Sequence, residues 1–348
     1  MTITPAGLGY RMPAEWERHN ATWMSWPKDP DTFPRSILSE VEKTYARIVD
    51  ILSEGEEVKL LVDDERAEKR VRTILENTSN VSFYHMQTVD VWVRDYAPVW
   101  VRGRDLALTK WVFNAWGHKY EDLEADNESG ERIARSTGLR LFEPRMVLEG
   151  GSVEADGAGT LLTTEQCLLN PNRNPEMDKR AIENGLRENL GVTRIVWLGS
   201  GIQGDDTDGH VDDVARFLNP NTVAMAWERN ASDPNHAVLE ENLKLLRSAD
   251  DKDDKILDIV TIPMPRAVDS AEGRLPASHL NFYIGNAAVL VPTFDSPSDS
   301  DALGTLKAYF QDREVVGVDC RALVYGLGAI HCVTQQVPSA HQGKVRAT

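Results

Sequence analysis

One unit recurs along this chain and narrows what it can fold into more than any single motif does. A short polar or charged stretch opens a β-hairpin, a helix follows, and one more apolar strand closes the unit. The hairpins are "APVWVRGRDLALTKWVF", turning at 102–105, "GGSVEADGAGTLLTTEQCLL", turning at 156–159, "VDDVARFLNPNTVAMAW", turning at 219–221, and "SHLNFYIGNAAVLVPTF", turning at Gly285 and Asn286. Glycine, asparagine, aspartate and proline stand where tight turns need them. "PRSILSEVEKTYARIVDILSEG" spaces Ile37, Val41, Tyr45, Ile48 and Ile51 along one helical face and stops at Gly55. "NPEMDKRAIENGLRENLG", "HAVLEENLKLLRSA" and "DALGTLKAYFQDR" read the same way. The strands "EVKLLVD", "TRIVWLG", "LDIVTIPMP" and "EVVGVDC" follow them, and "LRLFEP" follows a less regular helix around 131–136.

The count is about five ββαβ units, which fits a propeller-like ring better than two separate domains. The last unit is short, and a strand from "ATWMSWP" near the start of the chain is expected to complete it and close the ring. The polar motifs fall at one place in each unit. Asp95, Glu149, His210, Asn281 and Cys332 are therefore expected to converge near one axis. The 348 residues are read as a single catalytic domain.

Composition removes whole classes of function. A formal charge of −17 leaves no basic stripe for nucleic acid or an anionic membrane surface. The same charge suits a small cationic substrate, though an acidic surface also serves solubility. No apolar run reaches membrane-spanning length, and "MTITPAGLGYRMPAEWERHN" lacks the basic start and apolar stretch of a signal peptide. Cys167, Cys320 and Cys332 are too few and too far apart for a disulfide framework. The cytoplasm is the expected location, where a thiol stays free. A homo-oligomer is left open.

Four stretches carry ionisable groups beside strand-like sequence: "DVWVRDYAP", "LEGGS", "GDDTDGHVDD" and "GAIHC". The third resembles a calcium loop, but Gly204 and Ala215 fall where that loop needs its first ligand and its bidentate glutamate. A zinc site lacks a second histidine at helical spacing and a cysteine pair. On a strand, His210 and Asp212 would share one face and enter a pocket while Val211 enters the core. "GAIHCVTQQVP" also reads as a strand, which turns His331 and Val333 away from the side of Cys332. Cys167 and Cys320 are read as core. Cys332 alone would read so too, but a histidine and several carboxylates are brought within its reach by the repeat. Asp95, Trp92 and Glu149 are weak signals singly, and Arg94 could form a local ion pair with Asp95.

Together, in this order, these stretches resemble the agmatine deiminase family and the related bacterial-type peptidylarginine deiminases. The resemblance covers nearly the whole chain. It runs from "GYRMPAEWERHNATWMSWP" through "WVRDYAPVWV", "FNAWGHKY", "LEGGSVEADGAGTLLTTEQCLLNPNRNP", "GDDTDGHVDDVARF" and "NFYIGNAAVLVPTF" to "IHCVTQQVP". It implies a five-bladed, pentein-like α/β-propeller around a pseudo-fivefold axis. It also implies hydrolysis of a guanidinium to a urea with loss of ammonia, in putrescine synthesis if agmatine is the substrate. By the same resemblance Cys332 is the nucleophile, His210 the general acid and base, and Asp95 and Asp212 the carboxylates that hold the guanidinium. Glu149 and Trp92 are further substrate contacts. Asp206 is a candidate for the distal amine of agmatine. No metal or organic cofactor is required.

Three places depart from the family pattern. "GLGA" stands before "IHC" in place of a Gly-Gly-Gly-Asn run, so Leu327 would be strained in a left-handed conformation and Ala329 lacks a side-chain amide. "GDDTDGH" replaces the commoner "GDETDGH", and "FNAWGHK" puts His118 where a glycine is usual. A peptidylarginine deiminase would need a basic group for the substrate's carboxylate, for which Arg94 and Arg173 are candidates. A guanidinium-binding protein without turnover is the reading from another class. Peptide-bond hydrolysis is disfavoured, because paired carboxylates are poor neighbours for an oxyanion.

Overall fold

A computed structural model describes residues 3–250 and 257–340. Strand β1 (His19–Ser25) leads into a helix, Arg35–Ser53, and β2 (Glu57–Val62) returns parallel to β1. The helix buries Val41, Tyr45, Ile48 and Leu52, the three-and-four spacing of one face. It ends before Gly55, where a Cβ would lie 2.7 Å from the backbone nitrogen of Ala287, so only glycine lets the two segments approach. A second helix, Glu65–Arg72, and a third parallel strand, β3 (Val81–His85), extend the sheet. The sequence pattern missed both, because the helix buries only Val71 and the strand is half-buried.

The next four sheets repeat one connectivity. Strands β4 (Val99–Arg102) and β5 (Leu106–Thr109) form a hairpin, and β6 (Arg140–Phe142) joins β5 in parallel after the helix Asp126–Ser136. Hairpin β7 (Glu154–Ala155) and β8 (Thr160–Thr164) is followed by the helix Lys179–Leu190 and parallel β9 (Arg194–Leu198). Hairpin β10 (Ala215–Asn219) and β11 (Thr222–Trp227) is followed by Pro234–Asp250 and β12 (Asp258–Pro263). A small ribbon, β13 (Asp269–Ser270) and β14 (Gly273–Arg274), intervenes. Hairpin β15 (Tyr283–Ile284) and β16 (Ala288–Thr293) is then followed by Asp299–Tyr309 and β17 (Glu314–Asp319). The expected hairpin turns and helices fall where the turn residues and periodicity put them.

The helix Lys179–Leu190 shows how local sequence writes each unit. Asp178 caps it by accepting from the Ala181 amide at 2.8 Å, and Gly191 ends it with φ +65°. Ile182, Leu186 and Leu190 point inward, and each buried side chain contributes about 2 kcal/mol.

The last strand, β18 (Gln335–Pro338), pairs antiparallel with β1. The expected strand from "ATWMSWP" thus completes the final unit. Among the described residues no helix is long and apolar enough to cross a membrane.

Candidate active site

The site is built on five short segments, four placed just before the first strand of a hairpin and the fifth just before β18. One helical turn, Val93–Tyr96, precedes β4. A 3₁₀ turn, Gly150–Ser152, precedes β7, and another, Val211–Asp213, precedes β10. A turn ending at Asn281 precedes β15, and a turn over 330–333 precedes β18. This corrects the strand reading of two motifs. His210 is the residue before a 3₁₀ turn and Asp212 lies inside it, so alternation does not place them; the turn does. Val211 still enters the core. Cys332 also sits in a turn, held by Thr334 Oγ1 donating to the Ile330 carbonyl at 2.9 Å, and strand structure begins only at Gln335.

The expected residues meet. Cys332 Sγ accepts from Asn281 Nδ2 at 3.2 Å and lies 3.9 Å from Asp212 Oδ2. Asn281 also takes the His331 amide on its side-chain oxygen at 3.0 Å, which ties the turn carrying Cys332 to the preceding unit. His210 Nδ1 is 3.8 Å from Asp95 Oδ1. Gly151 donates its amide to that same Asp95 oxygen at 3.0 Å. Glu149 is fully buried, with one oxygen bonded to Arg173 Nε at 2.6 Å. Trp92 packs beside the nucleophile's turn: a Cβ on Gly328 would lie 2.5 Å from its ring and 3.1 Å from Cys332 Cβ. Its indole donates to Asp90 at 2.8 Å.

Three buried atoms here have no protein hydrogen-bond partner: Glu149 Oε2, His210 Nε2 and Asp212 Oδ1. Buried polar atoms are rarely left this way, and Asp212, whose Oδ2 lies 3.9 Å from Cys332 Sγ, keeps a free acceptor oxygen for a cationic donor. Burial first, then Asp212, Asp213 and Asp95, push the Cys332 thiol well above its usual range. Burial also pushes Asp95 up; His210 acts against it, while Asp212 and Glu149 add to it. Burial would raise Asp212 too, but the hydrogen bond and charge of His331, with His210 and Arg216, bring it below the ordinary value.

Glu149, Cys167 and His210 set their donor atoms within 4.8 Å of one another. The set does not fit a metal ion. Arg173, a cation, holds one Glu149 oxygen at 2.6 Å, and burial, then Glu149, hold the Cys167 thiol far up. Cys167 is core, as read, but its far side touches the site.

Other expectations need correction. Arg94 does not pair with Asp95: it donates to Gln336 at 2.8 Å and faces Glu15 at 3.4 Å. Arg173 bonds Glu149, Asn172, Asp208 and the Thr207 carbonyl. Both arginines are thus committed inside the protein and are not available to a substrate carboxylate. Asp206 lies at the rim, 3.5 Å from Lys119 and accepting from the Tyr120 hydroxyl. His118 points outward to Glu124 at 2.6 Å, away from the site. Leu327 adopts the left-handed conformation, φ +71°, that a glycine would hold without strain.

Sequence reasoning missed three parts of the site. Ala115, Trp116, Gly117 and His118 all have positive φ, a left-handed turn that L-residues form at about 1–2 kcal/mol each. Asn114 holds it, accepting the Gly117 amide on its side chain and the His118 amide on its carbonyl. The turn aims Trp116 Nε1 at Asp95 Oδ2, 2.9 Å away. Asn and Gly in "FNAWGHK" were the available signal. The other two parts, His331 and Glu15, had none.

A family model described as Porphyromonas-type peptidyl-arginine deiminase matches residues 11–338. The chain belongs to that family. It is 35% identical to the agmatine deiminase of Ectopseudomonas mendocina, over 97% of this chain and 98% of that one. The agmatine deiminase of Enterococcus faecalis superposes with a TM-score of 0.91 at 32% identity, covering 98% of this chain and 99% of the other. A C. jejuni agmatine deiminase, a cysteine-to-serine variant with substrate bound, superposes at 0.87 and 28%, covering 95% and 96%. The mixed α/β fold of this member of the peptidyl-arginine deiminase family is therefore that of the agmatine deiminase structures.

Proposed function

We propose that this protein is an agmatine deiminase, hydrolysing agmatine to N-carbamoylputrescine and ammonia in putrescine synthesis. The observation that carries the reading is Cys332 Sγ set beside Asp212, with Asp95 and His210 across the same buried space. The full-length likeness to agmatine deiminases supports it. We also take residues 1–348 as one catalytic domain, a five-bladed propeller closed by β1 and β18, and the cytoplasm as its location.

In this reading Asp95 and Asp212 hold the guanidinium by charge-assisted hydrogen bonds, and Trp92 covers it. The thiol stays protonated in the free enzyme because buried carboxylates disfavour a thiolate. The substrate's charge reverses that balance, so the thiol gives its proton to His210 as the substrate binds. Sulfur attacks the guanidinium carbon and forms a tetrahedral adduct. His210, as imidazolium, protonates the departing nitrogen, which leaves as ammonia and gives a cationic thiouronium on Cys332. Neutral His210 then takes a proton from water as its oxygen attacks the same carbon. Collapse expels sulfur and leaves the urea, and guanidinium plus water has become urea plus ammonium. These steps use only side chains of the chain itself.

The family's description favours a second reading, hydrolysis of peptidyl-arginine. A peptide or free arginine brings a carboxylate or backbone that needs a donor, and Arg94 and Arg173 are both engaged elsewhere. Asp206, which meets Lys119 at 3.5 Å and the Tyr120 hydroxyl, is the carboxylate assigned in this reading to the amine of agmatine. The test is ammonia release from agmatine, arginine and a C-terminal-arginine peptide, with Cys332→Ala alongside. Release from agmatine, absent in the variant, is expected. Release from the peptide alone would move the assignment to the second reading, and binding of agmatine without turnover would leave a guanidinium-binding protein.

A further inference from the structure

His331 stands next to the nucleophile in sequence, yet its ring makes no contact with sulfur. It is buried and bridges two carboxylates: Nδ1 is 2.6 Å from Asp212 Oδ2, and Nε2 is 2.9 Å from Glu15 Oε2. A neutral imidazole has one N–H and one lone pair. Either tautomer would press that lone pair against a carboxylate oxygen at hydrogen-bonding distance. The contacts are satisfied at both ends when both nitrogens carry protons.

The surroundings supply the charge to hold that state. Glu15 comes from the segment before β1 and is itself clamped. Its other oxygen accepts from Arg216 Nη2 at 2.8 Å and from the Ile284 amide at 2.9 Å, and Arg94 faces it at 3.4 Å. Arg216 bonds Glu154 at 3.0 Å. Burial would raise Glu15, but Arg216, His331 and Arg94 bring it well below the ordinary range. On the substrate side the chain of contacts ends at Asp212, whose Oδ2 is taken by His331 and whose Oδ1 has no protein partner. The groups facing this chain of contacts are Glu15, Arg94, Arg216, Glu154, Asp213, Asp95, His210 and Cys332.

We propose that His331 is a positioning residue for the hydrolysis: an imidazolium fixed between Glu15 and Asp212, it keeps Asp212 ionised and turns its free oxygen toward the guanidinium. This rests on the deiminase reading above. Without His331, Asp212 would be a buried carboxylate beside Asp213 and Asp95, and burial with like charge would protonate it. A protonated Asp212 cannot hold a cation.

The experiment is the pH dependence of kcat/KM for agmatine in the wild type, His331→Asn and Glu15→Gln, with folding checked by circular dichroism. A 15N-histidine spectrum of the wild type is taken alongside. In His331→Asn the acid limb of kcat/KM moves up by about one unit or more, and the value at pH 7 falls roughly 10- to 100-fold, as when support behind a ligand carboxylate or histidine is removed. Glu15→Gln moves the limb the same way by less. The wild-type spectrum shows one histidine with both ring nitrogens protonated, absent from His331→Asn. An unmoved acid limb in both folded variants, or a neutral His331, overturns the proposal while wild-type turnover still stands. Absence of ammonia from the wild type overturns the deiminase reading itself. Where His331→Asn does not fold, Glu15→Gln and the wild-type spectrum decide.

Discussion

Asp90 is a buried carboxylate with three donors aimed at it: Thr32 Oγ1 at 2.6 Å, the Val91 amide at 2.8 Å and Trp92 Nε1 at 2.8 Å. Burial, the largest influence, pushes its pKa up to about 7 even so. A raised carboxylate pKa stabilises the fold fully below the ordinary aspartate value, and that stability is lost as pH rises through about 7. Between pH 5 and pH 8 the wild type should therefore lose about 2 to 3 kcal/mol relative to Asp90→Asn. Urea unfolding of both proteins at the two pH values checks this, and parallel curves would contradict it. At this scale legibility was uneven. Cys332, His210, Asp95, Asp212, Glu149 and Trp92 were named because each sits in a long motif. Glu15 and His331 were not, because their partners lie on other segments and nothing in local spacing announces a bridge between carboxylates.

The elements that build the site are single turns, which explains why strand periodicity misread them. A one-turn helix has too few residues to show a period, and "GHVDD" or "HCV" alternates as well as a strand does. The glycines of "LEGGS" do more than let the chain turn. Gly150 lies against the Arg94 carbonyl, where a Cβ would come within 2.2 Å. At Gly151 a Cβ would lie 2.6 Å from His210 Nδ1, 3.0 Å from Asp95 Oδ1 and 3.2 Å from Asp212 Oδ2. Gly151→Ala puts a methyl group among these three side chains, the place proposed above for the guanidinium. Its kcat/KM for agmatine should fall about 100-fold or more while the far-ultraviolet spectrum stays that of the wild type, since small displacements at a reacting centre carry losses of that order. Steady-state kinetics decide it, and an active Gly151→Ala would place the guanidinium elsewhere.

Across the whole molecule, the repeat count and the completion of the last sheet by β1 were legible, because hairpin turns and helical faces are written locally. The extra strand β3 was not, since a half-buried edge strand needs little apolar sequence. The completion is stitched by Asn286. Its side chain accepts the His19 amide at 2.9 Å and donates to the carbonyls of His19 at 2.9 Å and Gly55 at 3.1 Å. Asn286→Ala leaves those backbone groups without their partner and should cost about 2 to 3 kcal/mol, with unfolding still a single transition. Two transitions in chemical denaturation would contradict the one-domain reading. The register His19 to Pro338 also sets a timetable for biosynthesis. While the chain leaves the ribosome, β1 has β2 on one side and an open edge on the other, the kind of edge that invites wrong pairing. Only when β18 emerges is that edge covered, and the turn bearing Cys332 immediately precedes β18. Among the described strands, the one made last thus seals the first sheet, and the turn that carries Cys332 arrives with it.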